Sequence, residues 1–278
     1  MADAPGMEDG GPLAALGALD DEAIDLADAA LVIGGLDYPS VQLDSYRDHL
    51  QELVTDTRRT RSRESGIDGR IARINRVLFE THGYAGDADS YDDPQNANLV
   101  RVIDRRCGLP VMLGILYIHV ARAQLWPADG LTFPGHFLVR LDVEGRRAIV
   151  DPFHGGQVLE AGHLRNMLKQ FLGADTELRP EHYAAVGNRD ILLRAMNNIK
   201  TRAVDGGDME RASLILERMT ALAPQAAGPW RELGMLEARR GNMNRAIRAI
   251  QTFADHSPSE EDRQAAARMI AKLKRELN

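Results

Sequence analysis

Apolar residues recur at helical spacing over most of this chain. Within residues 20–82, the segments 41–54 and 67–79 carry apolar side chains at three- and four-residue intervals, which predicts amphipathic helices. Acidic residues 20–22 stand where a helix would begin. The same spacing returns from about residue 190 to the C-terminus. The pattern therefore predicts a mostly helical chain.

One region in the middle of the chain is patterned for strands. Residues 135–141 and 147–153 are predicted to form two antiparallel strands joined by a short turn. If the turn is centred on residues 143–144, His136 lies directly opposite Asp151. A shift of two residues keeps both side chains on one face, whereas a shift of one residue separates them.

The longest apolar run precedes these strands. It covers residues 111–121, and Pro110 stands at its start, where a missing N–H costs no helical hydrogen bond. A buried helix is therefore predicted to begin at Pro110. His119 interrupts the run, which is well short of the ~20 residues that cross a bilayer.

The C-terminal part of the chain contains an internal repeat with a period of 34 residues. Its packing positions are Trp230, Leu233, Gly234, Ala246, Phe253 and Pro258 in the second copy, and Ala212 and Pro224 in the first. This is the spacing of the tetratricopeptide repeat (TPR), in which the small residues let two helices approach, the large ones fill the gap and proline stops the second helix. Glu237, where that pattern prefers Tyr, is a departure.

These patterns divide the chain into three parts. We expect a disordered tail over residues 1–18 and a helical region with a core over residues 19–178. Residues 190–278 are predicted to form two TPR-type helix pairs followed by a capping helix.

Composition narrows the classes of function. Acidic residues outnumber basic ones, 41 to 34, and the net charge of -7 argues against a nucleic-acid binder. A single cysteine, Cys107, rules out a disulfide framework and a cysteine-rich zinc site. No phosphate-binding loop, paired-histidine metal motif or dinucleotide fingerprint is present, so we expect no cofactor and no metal. Without a secretory signal or a membrane-length apolar run, the chain is expected to be cytoplasmic and not membrane-bound.

Cys107, His136 and Asp151 are the candidate catalytic residues. A helix N-terminus lowers the pKa of a thiol, an imidazole accepts its proton, and a carboxylate orients the imidazole. The alternative is that Cys107 is a semi-buried loop residue and that His136 and Asp151 form a structural hydrogen-bonded pair. His119 is interpreted as a packed core histidine and His154 as a loop residue near the mouth of the cleft.

Several short segments resemble the bacterial SirB family. They are Leu78-Phe79, Gly83-Tyr84, Arg105-Arg106-Cys107-Gly108-Leu109-Pro110, Pro134-Gly135-His136-Phe137-Leu138 and Asp151-Pro152-Phe153. The resemblance covers about residues 20–275 and implies an α+β fold, in which a transglutaminase-like (papain-like) core with a small antiparallel sheet precedes an α-helical TPR array. The resemblance is informative about the fold and says little about an activity. In transglutaminases the nucleophile begins the buried helix, which here corresponds to residues 110–112, and Pro, Val and Met cannot attack a carbonyl.

We therefore expect a non-catalytic, cytoplasmic interaction or regulatory protein that joins a degenerate transglutaminase-like core to a peptide-binding array. Its partner would be a protein or peptide. One alternative is a thiol-dependent hydrolase or amide-group transferase, with Cys107 as nucleophile, His136 as base and Asp151 as orienting acid. Another is a core that grips a peptide with His136 and Asp151 without cleaving it.

Overall fold

The computed structural model describes residues 11–131 and 133–277. The described chain forms two compact units. The first comprises residues 20–195, and the second comprises residues 11–19 together with 196–277. The α+β fold class is confirmed, because helices dominate and a small antiparallel sheet lies in the first unit.

Twelve α-helices fall within the described residues. They are α1 (Pro12–Gly17), α2 (Leu26–Gly35), α3 (Asp44–Arg59), α4 (Gly66–Asn75), α5 (Leu99–Arg105), α6 (Pro110–Ala123), α7 (Ala161–Leu172), α8 (Asn188–Asp205), α9 (Met209–Leu222), α10 (Ala227–Arg239), α11 (Met243–His256) and α12 (Glu260–Leu277). A π-helical segment, Arg76–Thr81, continues α4. No helix of the described chain is long and apolar enough to cross a membrane.

The strands of the described chain form two sheets. They are β1 (Ala85–Gly86), β2 (Cys107–Gly108), β3 (Ala128–Leu131), β4 (Leu138–Val143), β5 (Arg146–Asp151), β6 (Gln157–Leu159) and β7 (Ala185–Val186). β1 and β2 pair in parallel, and the other five form an antiparallel sheet in the order β6-β5-β4-β3-β7. The sequence pattern predicts β4 and β5 and does not indicate the shorter strands.

A tight turn sets the register of the β4–β5 hairpin. Glu144 and Gly145 both have positive φ, 52° and 78°, as a two-residue type I′ turn requires. Val139 consequently pairs with Val150. This register is shifted by two residues from the one that would place His136 opposite Asp151, so both side chains stay on the same face of the sheet.

Helix α6 forms the centre of the first unit. Eleven of its residues are buried, and Pro110 occupies its first turn as predicted. The helix packs on α3, β3 and β4. A side chain at Gly114 would lie 2.3 Å from the Phe137 ring, so this glycine lets the helix approach the segment that carries His136.

The second unit contains α8 from residue 196 onward, then α9, α10, α11 and the capping helix α12. A side chain at Gly234 would lie 2.5 Å from Ile250, and Ala246 is fully buried, so these small residues allow α10 and α11 to pack closely. The indole N–H of Trp230 donates to the Pro224 carbonyl at 2.8 Å, which fixes the turn between the repeats.

The predicted disordered tail spans residues 1–18, of which residues 1–10 lie outside the described residues. Pro12–Gly17 form α1, a helix where the composition predicted none. α1 packs on α9, and Gly17 approaches so closely that a side chain there would lie 2.3 Å from the Ala221 carbonyl oxygen. Six residues gain helical order mainly from such packing, which local sequence propensity does not reveal.

Candidate functional site

Three polar side chains meet at the end of the β4–β5 hairpin. Asp151, the last residue of β5, accepts hydrogen bonds from His136 Nε2 at 2.9 Å and from His154 Nδ1 at 2.7 Å. Its carboxylate also accepts from the backbone N–H of Phe153 at 3.0 Å. We call these three side chains the His136–Asp151–His154 cluster.

The cluster is buried on one side and open on the other. The side chains of His136 and Asp151 are 9% and 3% exposed, whereas that of His154 is 60% exposed. Burial alone would raise the pKa of Asp151, but hydrogen bonds and charge from the two imidazoles outweigh it and hold that pKa below its ordinary value. Asp151 is therefore a carboxylate at neutral pH, and each imidazole points one nitrogen at it.

Contacts on the protein side fix the position of His136. Arg194 donates to the backbone carbonyls of Phe133 and His136. Gly135 has φ +70°, and a side chain there would lie 2.2 Å from Phe171. These contacts hold the backbone of the segment, and the bond to Asp151 holds the His136 imidazole.

A second set of contacts holds the turn that carries His154. Pro152–His154 form one 3-10 turn, which returns His154 to the carboxylate three residues earlier. Gly156, with φ +74°, lies against Asn75, whose side-chain amide donates to the Gly156 carbonyl at 3.0 Å. Tyr117 on α6 donates to the Asn75 side-chain oxygen at 3.2 Å.

The cluster opens into a cleft of about 330 Å³. The opposite wall comes from β6 and α7, and its residues are Gln157, Leu159, His163, Asn166, Met167, Gln170 and Phe171. None of these is Lys or Arg. Phe171 is 49% exposed at the edge of the cleft. The wall offers amide, imidazole and apolar groups, a surface suited to a polar ligand with an apolar part.

The structure does not bring Cys107 into this cluster. Among the described residues, the hydrogen-bond partner of its thiol is Asp87, with Sγ 4.0 Å from Oδ2, and no bond joins it to His136. Burial raises the pKa of the thiol, and Asp87 and Asp93 add to that rise against the opposing charge of Arg105. The local field therefore favours the neutral thiol, the opposite of what a cysteine nucleophile needs.

The start of α6 carries no nucleophile. Pro110, Val111 and Met112 are all buried there, in the position where the resemblance places the transglutaminase cysteine. All three residues are buried and therefore contribute to packing rather than to chemistry.

The two arginines before Cys107 have structural partners. Arg105 binds the side chains of Asp87, Asp93 and Asn96. Arg106, in the left-handed conformation with φ 59°, donates to Tyr84 at 2.6 Å and to His49 Nε2. The motif therefore ties the loop before α6 to the rest of the unit.

His154 is the residue that sequence reasoning undervalued. The signal was the order Asp-Pro-Phe-His-Gly-Gly at residues 151–156. Proline starts a turn after Asp151, and Gly155, with φ 67°, ends it, so the fourth residue returns to the first.

These features define a transglutaminase-like core followed by TPR helices, and sequence comparisons agree. The model of the transglutaminase-like superfamily matches residues 44–197, which is more than half of the chain. The tetratricopeptide repeat model matches residues 199–271. Both matches follow the architecture that the sequence pattern predicts.

Curated relatives in other bacteria match most of the chain. A UPF0162 protein of Xylella fastidiosa (strain Temecula1) is 32% identical over 247 residues, covering 88% of each chain. A UPF0162 protein of Vibrio cholerae is 28% identical, covering 87% of this chain and 89% of the relative. Protein SirB1 of Salmonella typhimurium is 21% identical, covering 81% and 82%. The chain therefore belongs to the bacterial UPF0162 (SirB-type) family of transglutaminase-like proteins, and the predicted resemblance is confirmed.

Proposed function

We propose that this protein is a non-catalytic cytoplasmic interaction or regulatory protein. Its TPR array binds a protein or peptide partner, and its transglutaminase-like core has lost the nucleophile. The observation that carries the proposal is the position of Cys107, whose thiol faces the carboxylate of Asp87 while His136 is engaged by Asp151.

The environment of the only cysteine argues against thiol catalysis. Reactive cysteines lie in electropositive surroundings that stabilise the thiolate. Here burial raises the pKa of the thiol, and the charges of Asp87 and Asp93 raise it further against the opposing charge of Arg105. A general base must also lie within hydrogen-bond reach of the proton that it removes. His136 makes no such bond with Cys107 in the described chain.

The array offers a surface that suits a peptide. Two adjoining hollows of about 260 and 290 Å³ are lined by residues of α8, α9, α10 and α12. Met235 and Arg239 line both. The remaining lining residues are Lys200, Thr201, Val204, Leu216, Glu232, Leu236, Ala238, Met269, Lys272, Leu273 and Glu276. We call this surface the inner groove.

The chemistry of the inner groove fits a helix or an extended peptide with mixed side chains. Its walls alternate apolar groups with charges of both signs, such as Lys272 and Glu276. Methionine adapts to different apolar side chains, and Arg binds carboxylates, including those of a peptide backbone terminus. Helix-pair arrays bind peptides on such concave surfaces.

A pair of charge reversals tests the proposal. Arg239 is exposed in the inner groove, and Arg248 is exposed on α11, outside that groove. Partners are captured from the native cell with wild type, Arg239→Glu and Arg248→Glu, and each is then titrated against the purified proteins. We expect Arg239→Glu to weaken binding about 10-fold or more, equivalent to 1.4 kcal/mol, and Arg248→Glu to leave it unchanged.

Two results would count against the proposal. If the two variants bind a verified partner equally well, the inner groove is not the recognition surface. If His136→Ala abolishes binding while Arg239→Glu does not, the cleft of the core is the recognition surface instead.

A further inference from the structure

We infer that the His136–Asp151–His154 cluster is a binding site for a divalent first-row transition metal ion, with Zn²⁺ as the best match. The ion's open coordination position would face the cleft. This inference does not depend on the proposed function, because it concerns the core alone and requires no reaction.

The three side chains bring their ligand atoms close together. One ligand atom from each side chain lies within 4.8 Å of the other two. His136 Nε2 and His154 Nδ1 are the nitrogens that face the Asp151 carboxylate. Zinc bonds of roughly 2.0–2.2 Å in a tetrahedral site place ligand atoms about 3.3 Å apart. The separations from one carboxylate oxygen, Oδ2 of Asp151, are 3.0 Å to His136 Nε2 and 2.7 Å to His154 Nδ1, so they need to open by about 0.3 Å and about 0.6 Å.

The ligand set matches a known coordination chemistry. Two imidazoles and one carboxylate form three-ligand zinc sites that leave a fourth position open. The same set holds iron(II) in some enzymes, so these ligands fit a class of metals that includes both iron and zinc. Zinc is favoured because it accepts a compact four-coordinate site and needs no further protein ligand.

The protein also supplies the supporting contacts that metal sites need. The Phe153 N–H donates to the Asp151 carboxylate, and Arg194 donates to the backbone carbonyl of His136. Such outer contacts orient ligands before the ion arrives. His154, at 60% exposure, is the movable member that can adjust the separation.

A second cluster provides an internal contrast. His49, Glu52 and His82 also bring their ligand atoms within 4.8 Å of one another. There, however, the guanidinium of Arg106 donates to His49 Nε2. A fixed positive charge bonded to the same imidazole opposes a cation at this cluster, so we assign the metal to the first cluster alone.

Sequence motifs could not reveal this site. The expected absence of a metal rested on paired-histidine and cysteine patterns, which place ligands at short fixed spacings. Here the ligands sit at residues 136, 151 and 154, and the hairpin register with the following 3-10 turn brings them together.

The test uses the whole chain after treatment with a chelator. Zn²⁺ binding is measured by isothermal titration calorimetry, and Co²⁺ is then added as a spectroscopic probe of geometry. We expect one Zn²⁺ per chain and the strong visible absorption of four-coordinate cobalt. We expect His154→Ala to weaken Zn²⁺ binding by about 100-fold or more, beyond the 10- to 100-fold typical of losing an outer contact.

Glu52→Gln is the matched control, because Glu52 is the exposed ligand of the second cluster, 58% exposed against 60% for His154. Neither change removes a buried side chain, so both variants should fold. We expect Glu52→Gln to bind Zn²⁺ like wild type. The inference is overturned if wild type takes up no stoichiometric Zn²⁺, if His154→Ala binds as tightly as wild type, or if Glu52→Gln is the variant that loses binding.

Discussion

The carboxylate of Glu237 should be a major source of stability in the C-terminal unit. This residue replaces the Tyr of the repeat pattern, and it is fully buried on α10. Its oxygens accept hydrogen bonds from Ser213 at 2.5 Å, Arg240 at 2.5 Å and Asn242 at 2.8 Å. Arg245 lies 3.6 Å away. One side chain thus joins α9, α10 and the start of α11.

Replacing Glu237 with Ala leaves these donors without their acceptor. Removing one member of a buried charged pair typically costs about 3–5 kcal/mol. Each neutral donor left unsatisfied adds about 1–3 kcal/mol where water cannot replace the acceptor. Ser213 is buried, whereas Arg240 is a quarter exposed and regains solvent. Because the remaining arginines can regain solvent, the full penalty of an unpaired buried charge does not apply. We therefore expect Glu237→Ala to lower the free energy of unfolding by about 1–3 kcal/mol, mainly because the buried Ser213 hydroxyl loses its acceptor.

Tryptophan fluorescence can report this unit alone. The chain has two tryptophans, Trp126 in the first unit and Trp230 on α10. In a Trp126→Phe background, urea unfolding followed by Trp230 measures the C-terminal unit. Glu210→Ala, an exposed change in the first turn of α9, is the control and should cost less than about 1 kcal/mol. Equal losses for Glu237→Ala and Glu210→Ala would refute the reasoning.

Two further predictions concern the core. Gly156→Ala should destabilise the first unit by about 1–3 kcal/mol more than Gly155→Ala. Both glycines have positive φ, but only at Gly156 would a side chain collide with Asn75. Equal melting temperatures of the two variants would contradict this prediction. The pKa of Asp151 is lowered in the folded state, so its stabilisation is present above the unfolded value of about 3.9 and is lost as pH falls through the folded value. In the chelator-treated chain, wild type should therefore lose stability relative to Asp151→Asn on acidification below about pH 4, and parallel pH curves would show that the predicted shift is absent.

The parts of the fold with a strong period were predictable from sequence. The 34-residue repeat located the helix pairs, because Gly234 and Ala246 mark where two helices touch. The hairpin was predictable to within two residues of register, and the Glu144–Gly145 turn resolved that choice. Both signals are local: the first recurs along the chain, and the second depends on the two residues of one turn.

Features that depend on distant packing were not predictable. Strands β6 and β7 have three and two residues, too few to show an alternating pattern. Glu237 reads as a defect in the repeat until its three hydrogen-bond donors are seen. His154 reaches Asp151 only because a 3-10 turn folds it back. In each case the interaction involves a residue on another element or requires a turn geometry, and neither can be recognised from the residue alone.

The reactivity of Cys107 tests the central claim most directly. It is the only cysteine, so alkylation with iodoacetamide across pH reports this thiol alone in the native chain. We predict an apparent thiol pKa at or above the ordinary value of about 8.5, unchanged in His136→Ala, because burial and Asp87 oppose the thiolate. An apparent pKa in the range of about 3.5–7.5 that rises in His136→Ala would reveal a thiolate–imidazolium pair and contradict the account.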